Sequence, residues 1–310
     1  MSYLRSAILA AAMLATLGPG SQQTSAQDKI TIGVSLAQDD NPFYIVMLRG
    51  IRGRAQELGW DVVTVSANED KIKQINGVQD LVARGVKGIL ISPIDAVGVN
   101  AAYDAAKAAN VPIVSVARGS TSPNQTLHVA MDEKQIGRDI AEWTAKAIGD
   151  EGKIAMLLGP SGVPTFRNLA EGYTEVMSKF PKIQIAFRSD GALTRERGLK
   201  QAEDAMTANP DLKAIYAAND DVALGAIQAV IAAGRTDKTI VTGMNGVPPA
   251  LRAVKDGTLA MTVELNPVLW GRLGVDVLAA YLKGEKVEPR VFIKHNVIDK
   301  TNVDQKLPKT

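Results

Sequence analysis

Cysteine is absent from the 310 residues, which removes disulfides, Cys-ligated zinc, iron–sulfur clusters and thiol nucleophiles at once. Histidine is nearly absent: His128 and His295 are the only two, too few for a multi-histidine metal site. Neither sign of charge dominates. Lys and Arg number 35 against 33 Asp and Glu, interspersed along the chain, so the basic stripe of a nucleic-acid binder is missing. The motifs of common α/β enzymes are missing too. No GxGxxG follows the first expected strand, whose sequel is Gly33-Val34-Ser35, and neither GxxxxGK[S/T] nor a GxSxG elbow occurs. What remains is ordinary globular material, with 46% hydrophobic and 22% charged residues, 27 Gly and 14 Pro. These values exclude a disordered, collagenous or coiled-coil chain, and the length suggests about two domains.

Long apolar runs are confined to the amino terminus. Arg5 precedes Ala7–Leu17 (AILAAAMLATL), and a Gly/Pro break leads to the small residues Thr24 and Ala26. This is the pattern of a signal peptide cleaved before Gln27. The run is about 11 residues, short of the ~20 a membrane-spanning helix needs. No cysteine follows it to carry a lipid anchor. Residues 1–26 are therefore expected to be a signal peptide, and the remainder an exported, soluble protein.

From Lys29 onward, short β-branched runs alternate with longer segments of helical period. ITIGVSL (Ile30–Leu36), DVVTV (Asp61–Val65), KGILI (Lys87–Ile91) and PIVSV (Pro112–Val116) read as buried strands separated by helices. After Leu127–Ala130 the alternation restarts with Lys153–Leu158, Ile183–Phe187, Ala214–Ala217 and Thr239–Thr242. It ends with Met261–Val263, a helix to Leu282 and a last strand near Val291–Val297. Apolar runs of this kind joined by helices indicate βαβ units and parallel sheets. No Gly/Ser-rich linker separates the halves, so two doubly wound α/β lobes joined by several crossovers are expected rather than independent domains.

In open parallel sheets ligands lie beyond the carboxyl ends of the strands, which directs attention to the residues after each strand. Asn41, Phe43 and Tyr44 in QDDNPFY offer an amide and two ring faces, as a polyhydroxylated ligand requires. The same residues equally suit a helix start, with Asn as cap, Pro in the first turn and aromatics in the core. Arg118 follows the fourth strand, and Arg167 lies in the glycine-rich turn GPSGVPTFRN. Each guanidinium can bind hydroxyls or a carboxylate in fixed geometry, or be a solvated helix-end charge. Asp132 follows the fifth strand. In YAANDDVALGA, one acidic residue, Asp220 or Asp221, can cap the helix, and the other polar groups, Asn219 among them, are expected at the cleft. Asn245 sits between two apolar segments in a glycine-flanked loop, where a left-handed turn would also explain it. Glu264 ends an apolar strand, so its carboxylate should face the cleft or a cation.

The chain resembles the ribose-binding type of periplasmic sugar-binding protein, the type I solute-binding component of ABC importers. The resemblance covers nearly everything after the signal peptide. It rests on DDNPFY (Asp39–Tyr44), QDLVARGVKGILISPIDA (Gln79–Ala96), ANVPIVSVARG (Ala109–Gly119), AANDDVALGA (Ala217–Ala226) and LKGEKV (Leu282–Val287). It implies the periplasmic binding protein type I fold, with an N-terminal lobe at 27–131 plus 265–292 and a C-terminal lobe at 132–264 plus 293–310. It also implies a non-enzymatic, monomeric periplasmic protein without cofactor or metal. Such a protein captures a small sugar or polyol, closes about its hinge and is received by an ABC permease; a chemoreceptor is the alternative partner. The lactose-repressor family shares the core but needs a DNA-binding helix-turn-helix ahead of it, where this chain has the signal-like segment.

The resemblance places Asn41, Phe43, Tyr44, Arg118, Arg167 and Asn219 at matching ligand positions. Departures fall at Ala117 and Asn245, where the family has Asp, at Glu264, where it has Gln, and at Leu193, where it has an aromatic. With two carboxylates missing and both arginines kept, the pattern points away from ribose itself and toward a neutral sugar or polyol, such as a smaller polyol or a deoxy sugar, if Glu264, Asp40 or Asp132 balances the arginines. Otherwise a sugar acid or other small anion is expected.

Overall fold

The computed structural model describes residues 29–307 apart from Gly162, so the expected signal peptide lies outside the described residues. The first half runs β1 (Thr31–Ser35), α1 (Pro42–Glu57), β2 (Asp61–Thr64), α2 (Lys71–Ala83), β3 (Gly88–Ile91), α3 (Asn100–Ala108), β4 (Ile113–Val116) and β5 (Leu127–Ala130). The second half starts with α4 (Glu133–Ala147), β6 (Gly152–Leu157), α5 (Pro164–Met177), β7 (Ile183–Ser189) and α6 (Arg195–Ala208). It continues with β8 (Leu212–Ala217), α7 (Asp220–Ala232), β9 (Ile240–Asn245), α8 (Pro248–Asp256) and β10 (Met261–Glu264). The chain closes with α9 (Pro267–Leu282), β11 (Arg290–Phe292) and β12 (Asn296–Asp299).

Two six-stranded sheets result, ordered β11-β5-β4-β3-β1-β2 and β12-β10-β9-β8-β6-β7. All pairings are parallel except β10 with β12. The single strand expected at Val291–Val297 is in fact two: β11 pairs with β5 in one sheet and β12 with β10 in the other. The polar run Lys294-His295-Asn296 interrupts the apolar pattern where the chain leaves one sheet for the other.

Each sheet is covered on both faces, which is why its strands read as near-continuous apolar runs. Along β6, Ile154 and Met156 enter the core beneath α4 and α5, while Ala155 and Leu157 enter the opposite core beneath α6 and α7. In the first sheet, Leu90 and Val114 face α1 and α9, whereas Ile89, Ile91 and Ile113 face α2 and α3.

The chain passes between sheets three times: at Met131–Asp132, at Leu265–Asn266 and at Ile293–His295. Met131 and Leu265 pack against the apolar cores of both lobes, joining them at the hinge. Asp132 caps α4, accepting from the Gln135 amide at 3.0 Å. Asn266 caps α9 through the amides of Val268 (3.0 Å) and Leu269 (3.3 Å). The third passage is tied down where His295 Nε2 meets Asp139 Oδ2 at 2.6 Å.

The helices that enter from the other lobe, α4 and α9, are each locked to the first helix of the lobe they join. Glycines make this possible. A Cβ on Gly271 would stand 2.2 Å from the Met47 carbonyl oxygen, and one on Gly50 2.2 Å from that of Val268. Gly137 and Gly172 repeat the arrangement between α4 and α5, at 2.2 and 2.1 Å from the carbonyls of Leu169 and Lys134.

Of the three polar residues in the Asn219-Asp220-Asp221 run, the capping role falls to the amide. Asn219 Oδ1 accepts from the Val222 amide at 2.9 Å. Asp220 is buried and braces α7 against the strand ends, accepting from Thr262 Oγ1 at 2.7 Å and the Val247 amide at 2.9 Å. Asp221 pairs with Arg195 at 3.0 Å. The cap expected of one acidic residue is thus made by Asn219 instead, while burial against β9 and β10 gives Asp220 interior donors and Asp221 pairs with Arg195.

Two consequences are testable. Gly271→Ala or Gly137→Ala should lower the urea-unfolding stability by about 1–3 kcal/mol through overpacking, although alanine is the better helix former by about 1 kcal/mol. Burial pushes the Asp220 carboxyl up to about 6. A folded value above the ordinary one makes this group's contribution most favourable below about pH 4, and that contribution is lost as pH rises through about 6. Asp220→Asn should therefore remove a pH-dependent stability difference on the order of 3 kcal/mol between pH 4 and pH 7, read from paired denaturation curves.

Candidate functional site

The crossovers fix where the lobes meet. β5 and β10 both leave their sheets at the carboxyl end and become helices of the other lobe after two residues. Three Cα steps span at most about 11 Å, so the carboxyl rims of the two sheets face each other across a cleft that closes at the hinge. Among the described residues, no side-chain hydrogen bond or ion pair joins one rim to the other. Nor is any group of three or more His, Asp and Glu there placed to hold a metal ion.

The first rim carries a connected set. Asn41 caps α1, its Oδ1 accepting from the Phe43 amide at 2.9 Å while its Nδ2 donates to Gln38 Oε1 at 2.7 Å. Both polar ends of Asn41 are thus engaged within the loop, and Gln38, overlooked in the sequence, presents the remaining amide donor. Phe43 stands edge-on to Tyr44 (5.3 Å between centroids) and to Trp270 (5.7 Å). Tyr44 is buried, and its phenol oxygen accepts from Ser92 Oγ at 3.2 Å. Burial pushes the Tyr44 phenol upward, against the opposing pull of the Ser92 hydrogen bond and the Arg118 charge.

Arg118 lies over the Tyr44 ring, 5.8 Å from its centroid. Its guanidinium is paired not with Asp40, Asp132 or Glu264 but with Glu69, from the loop after β2. Nη2 is 3.1 Å from Oε1 and Nη1 is 3.4 Å from Oε2. Beneath them, the fully buried Gln74 fixes the neighbouring loops, donating to the Ser92 carbonyl at 3.0 Å and accepting from the Ile94 amide at 2.9 Å. Neither Glu69 nor Gln74 stands directly at a strand end: Glu69 lies in the loop between β2 and α2, and Gln74 lies within α2. Their positions follow from the sheet order, which sets β2 and β3 on either side of β1.

On the opposite rim, the turn after β6 is shaped by Phe166, whose ring occupies the space a Cβ on Gly159 would need. Arg167 is exposed, with one long contact of 3.4 Å from Nη1 to the Ser161 carbonyl. Asn219 Oδ1 is taken up in capping α7, which leaves Nδ2 as the donor end of that side chain. Asn245 ends β9 with φ 136°, a conformation side chains rarely adopt, and stands beside Glu264 in the ladder. Glu264 meets the cation that its burial predicted: Lys306 Nζ lies at 2.7 Å, and Asn296 Nδ2 donates at 3.0 Å. Leu193 packs against the core beneath α6 and α7. Arg197 links the loops after β6 and β7, donating to the carbonyls of Leu158 (3.0 Å), Ala192 (2.8 Å) and Ser189 (3.0 Å).

The structure thus gathers Asn41, Phe43, Tyr44 and Arg118 on one rim and Arg167, Asn219 and Asn245 on the other, with Asp132 and Glu264 at the hinge and already engaged.

A family model for the periplasmic binding protein domain matches residues 32–286. The ribose import binding protein of Haemophilus influenzae is 33% identical over 278 residues, covering 90% of this chain and 94% of that protein. Among solved structures, a periplasmic ribose ABC transporter protein from Conexibacter woesei superposes with a TM-score of 0.83 at 29% identity, covering 90% of this chain and 94% of that one. An ABC transporter solute binding protein from Mycobacterium smegmatis with bound glycerol gives a TM-score of 0.74 at 32% identity, covering 91% and 98%. Two wound sheets, three crossovers, opposed polar rims and these matches lead to one conclusion: the chain belongs to the periplasmic binding protein family.

Proposed function

We propose that this protein captures a small neutral sugar or polyol in the cleft between its lobes, in the periplasm after export, and delivers it to an ABC importer. The observation that carries the reading is the pairing of two polar rims. Aromatic faces, Arg118 and the Gln38 amide on one side oppose Arg167, Asn219 and Asn245 on the other. Ring faces stack on C–H surfaces while amides and guanidinium groups pair with hydroxyls. The relative named for ribose and the neighbour holding glycerol support a hydroxylated ligand.

A neutral ligand fits better than a sugar acid because Arg118 already has a carboxylate partner in Glu69. That leaves Arg167 as the one arginine of the pair without an ion-pair partner among the described residues. Hinge closure about the three crossovers would bring the rims together over the ligand. Hydrogen bonds to charged groups contribute on the order of 1.5–3 kcal/mol each, so a few suffice for the roughly 8 kcal/mol of a micromolar site.

A thermal-shift screen of the ligand-free protein against pentoses, hexoses, tetritols, inositols and aldonic acids tests the class. A micromolar ligand supplied at about a hundred times its Kd stabilises the fold by about 2.7 kcal/mol, a clear rise in melting temperature. Stabilisation only by amino acids or peptides would refute the carbohydrate reading. Arg167→Ala should weaken binding more than tenfold in calorimetry without moving the melting temperature of the unliganded protein, since its side chain supports little of the fold. An unaltered dissociation constant would remove Arg167 from the site.

A further inference from the structure

Glu69 occupies a place that its backbone adopts against ordinary preference. Asn68 and Glu69 are consecutive non-glycine residues with left-handed φ values of 51° and 57°. Ala117, directly before Arg118, is a third at 62°. Such conformations persist where surrounding contacts enforce them. Here the Glu69 amide donates to the Ala37 carbonyl at 2.8 Å, and Asp70 immediately afterwards caps α2, accepting from the Ile72 amide at 2.9 Å. The loop is pinned on both sides, and the product of that pinning is a carboxylate held against Arg118 at the cleft rim. Both side chains remain part-exposed, 36% for Glu69 and 42% for Arg118, so a ligand can reach the pair.

We infer that Glu69 is a specificity-determining residue of the ligand site, forming with Arg118 a matched acceptor–donor pair that selects a neutral vicinal diol over a carboxylate. This rests on the sugar or polyol reading above. A guanidinium only donates and an ionised carboxylate only accepts. Two adjacent hydroxyls satisfy both, one accepting from Arg118 while the other donates to Glu69, and charged partners strengthen each bond. A ligand carboxylate would find Arg118 already neutralised and would meet the like charge of Glu69. The guanidinium lies over the Tyr44 ring, 5.8 Å from its centroid, and its pairing with Glu69 is made within the protein's own fold, so the pair is preorganised rather than assembled by the ligand.

The test is isothermal calorimetry of the wild-type protein, Glu69→Gln and Glu69→Ala with D-ribose, xylitol and myo-inositol as neutral probes and D-ribonate as the anionic one. Melting curves of the unliganded variants confirm folding. Both variants are expected to bind the neutral probe that the wild type prefers at least tenfold more weakly. The ratio of neutral to ribonate affinity should fall at least tenfold as well. Parallel losses for both ligand types, leaving the ratio unchanged, would make Glu69 a mere prop for Arg118 and overturn the inference. So would an unchanged affinity for the neutral probe, with the broader reading left standing. Failure of the wild type to bind any of the neutral probes would remove both.

Discussion

The structure depends on one constraint of chain path: β5 and β10 leave their sheets at the carboxyl ends and enter the opposite lobe within two residues. Because open parallel sheets present their binding loops at that end, two such exits oblige both sets of loops to face one another. The cleft is therefore a topological consequence before any side chain is considered. Met131 and Leu265, shared by the cores of both lobes, anchor the short crossovers.

The glycine-mediated helix pairs give this arrangement its rigidity. Each helix that arrives from the other lobe lies backbone to backbone with the first helix of its new lobe, at separations that exclude any side chain. The polar groups near the hinge follow the same logic. Glu264 with Lys306, Asp139 with His295 and the caps Asp132 and Asn266 each satisfy a group at a crossover, leaving the ligand-facing chemistry to the rims.

Charge balance within the cleft comes from a residue outside the obvious strand-end motifs. With alanine at position 117 the Asp of an Asp-Arg pair is missing beside Arg118, and Glu69 supplies the carboxylate from the loop after β2, which two strands separate from β4 in the sheet. This bears directly on what the cleft admits, since a neutralised arginine offers directed hydrogen bonds without demanding an anion.

The strands, their helices, the two-lobed organisation and most rim residues were legible in the sequence, because burial on both faces writes continuous apolar runs and strand ends mark where loops begin. Asn219 was read as a site residue, but its capping duty and the inward turn of Asp220 depended on α7 packing against β9 and β10. The polar run Lys294-His295-Asn296 breaks Val291–Val297, but that β11 and β12 then join different sheets is settled only by their pairing with β5 and β10. Glu69 and Gln74 are not legible locally because their contacts reach across the sheet: Glu69 follows β2 and Arg118 follows β4, with β1 and β3 between them. Local sequence determines which faces are buried and where the chain turns. Sheet order and crossing points, set by long-range packing, decide which charges come within reach of one another.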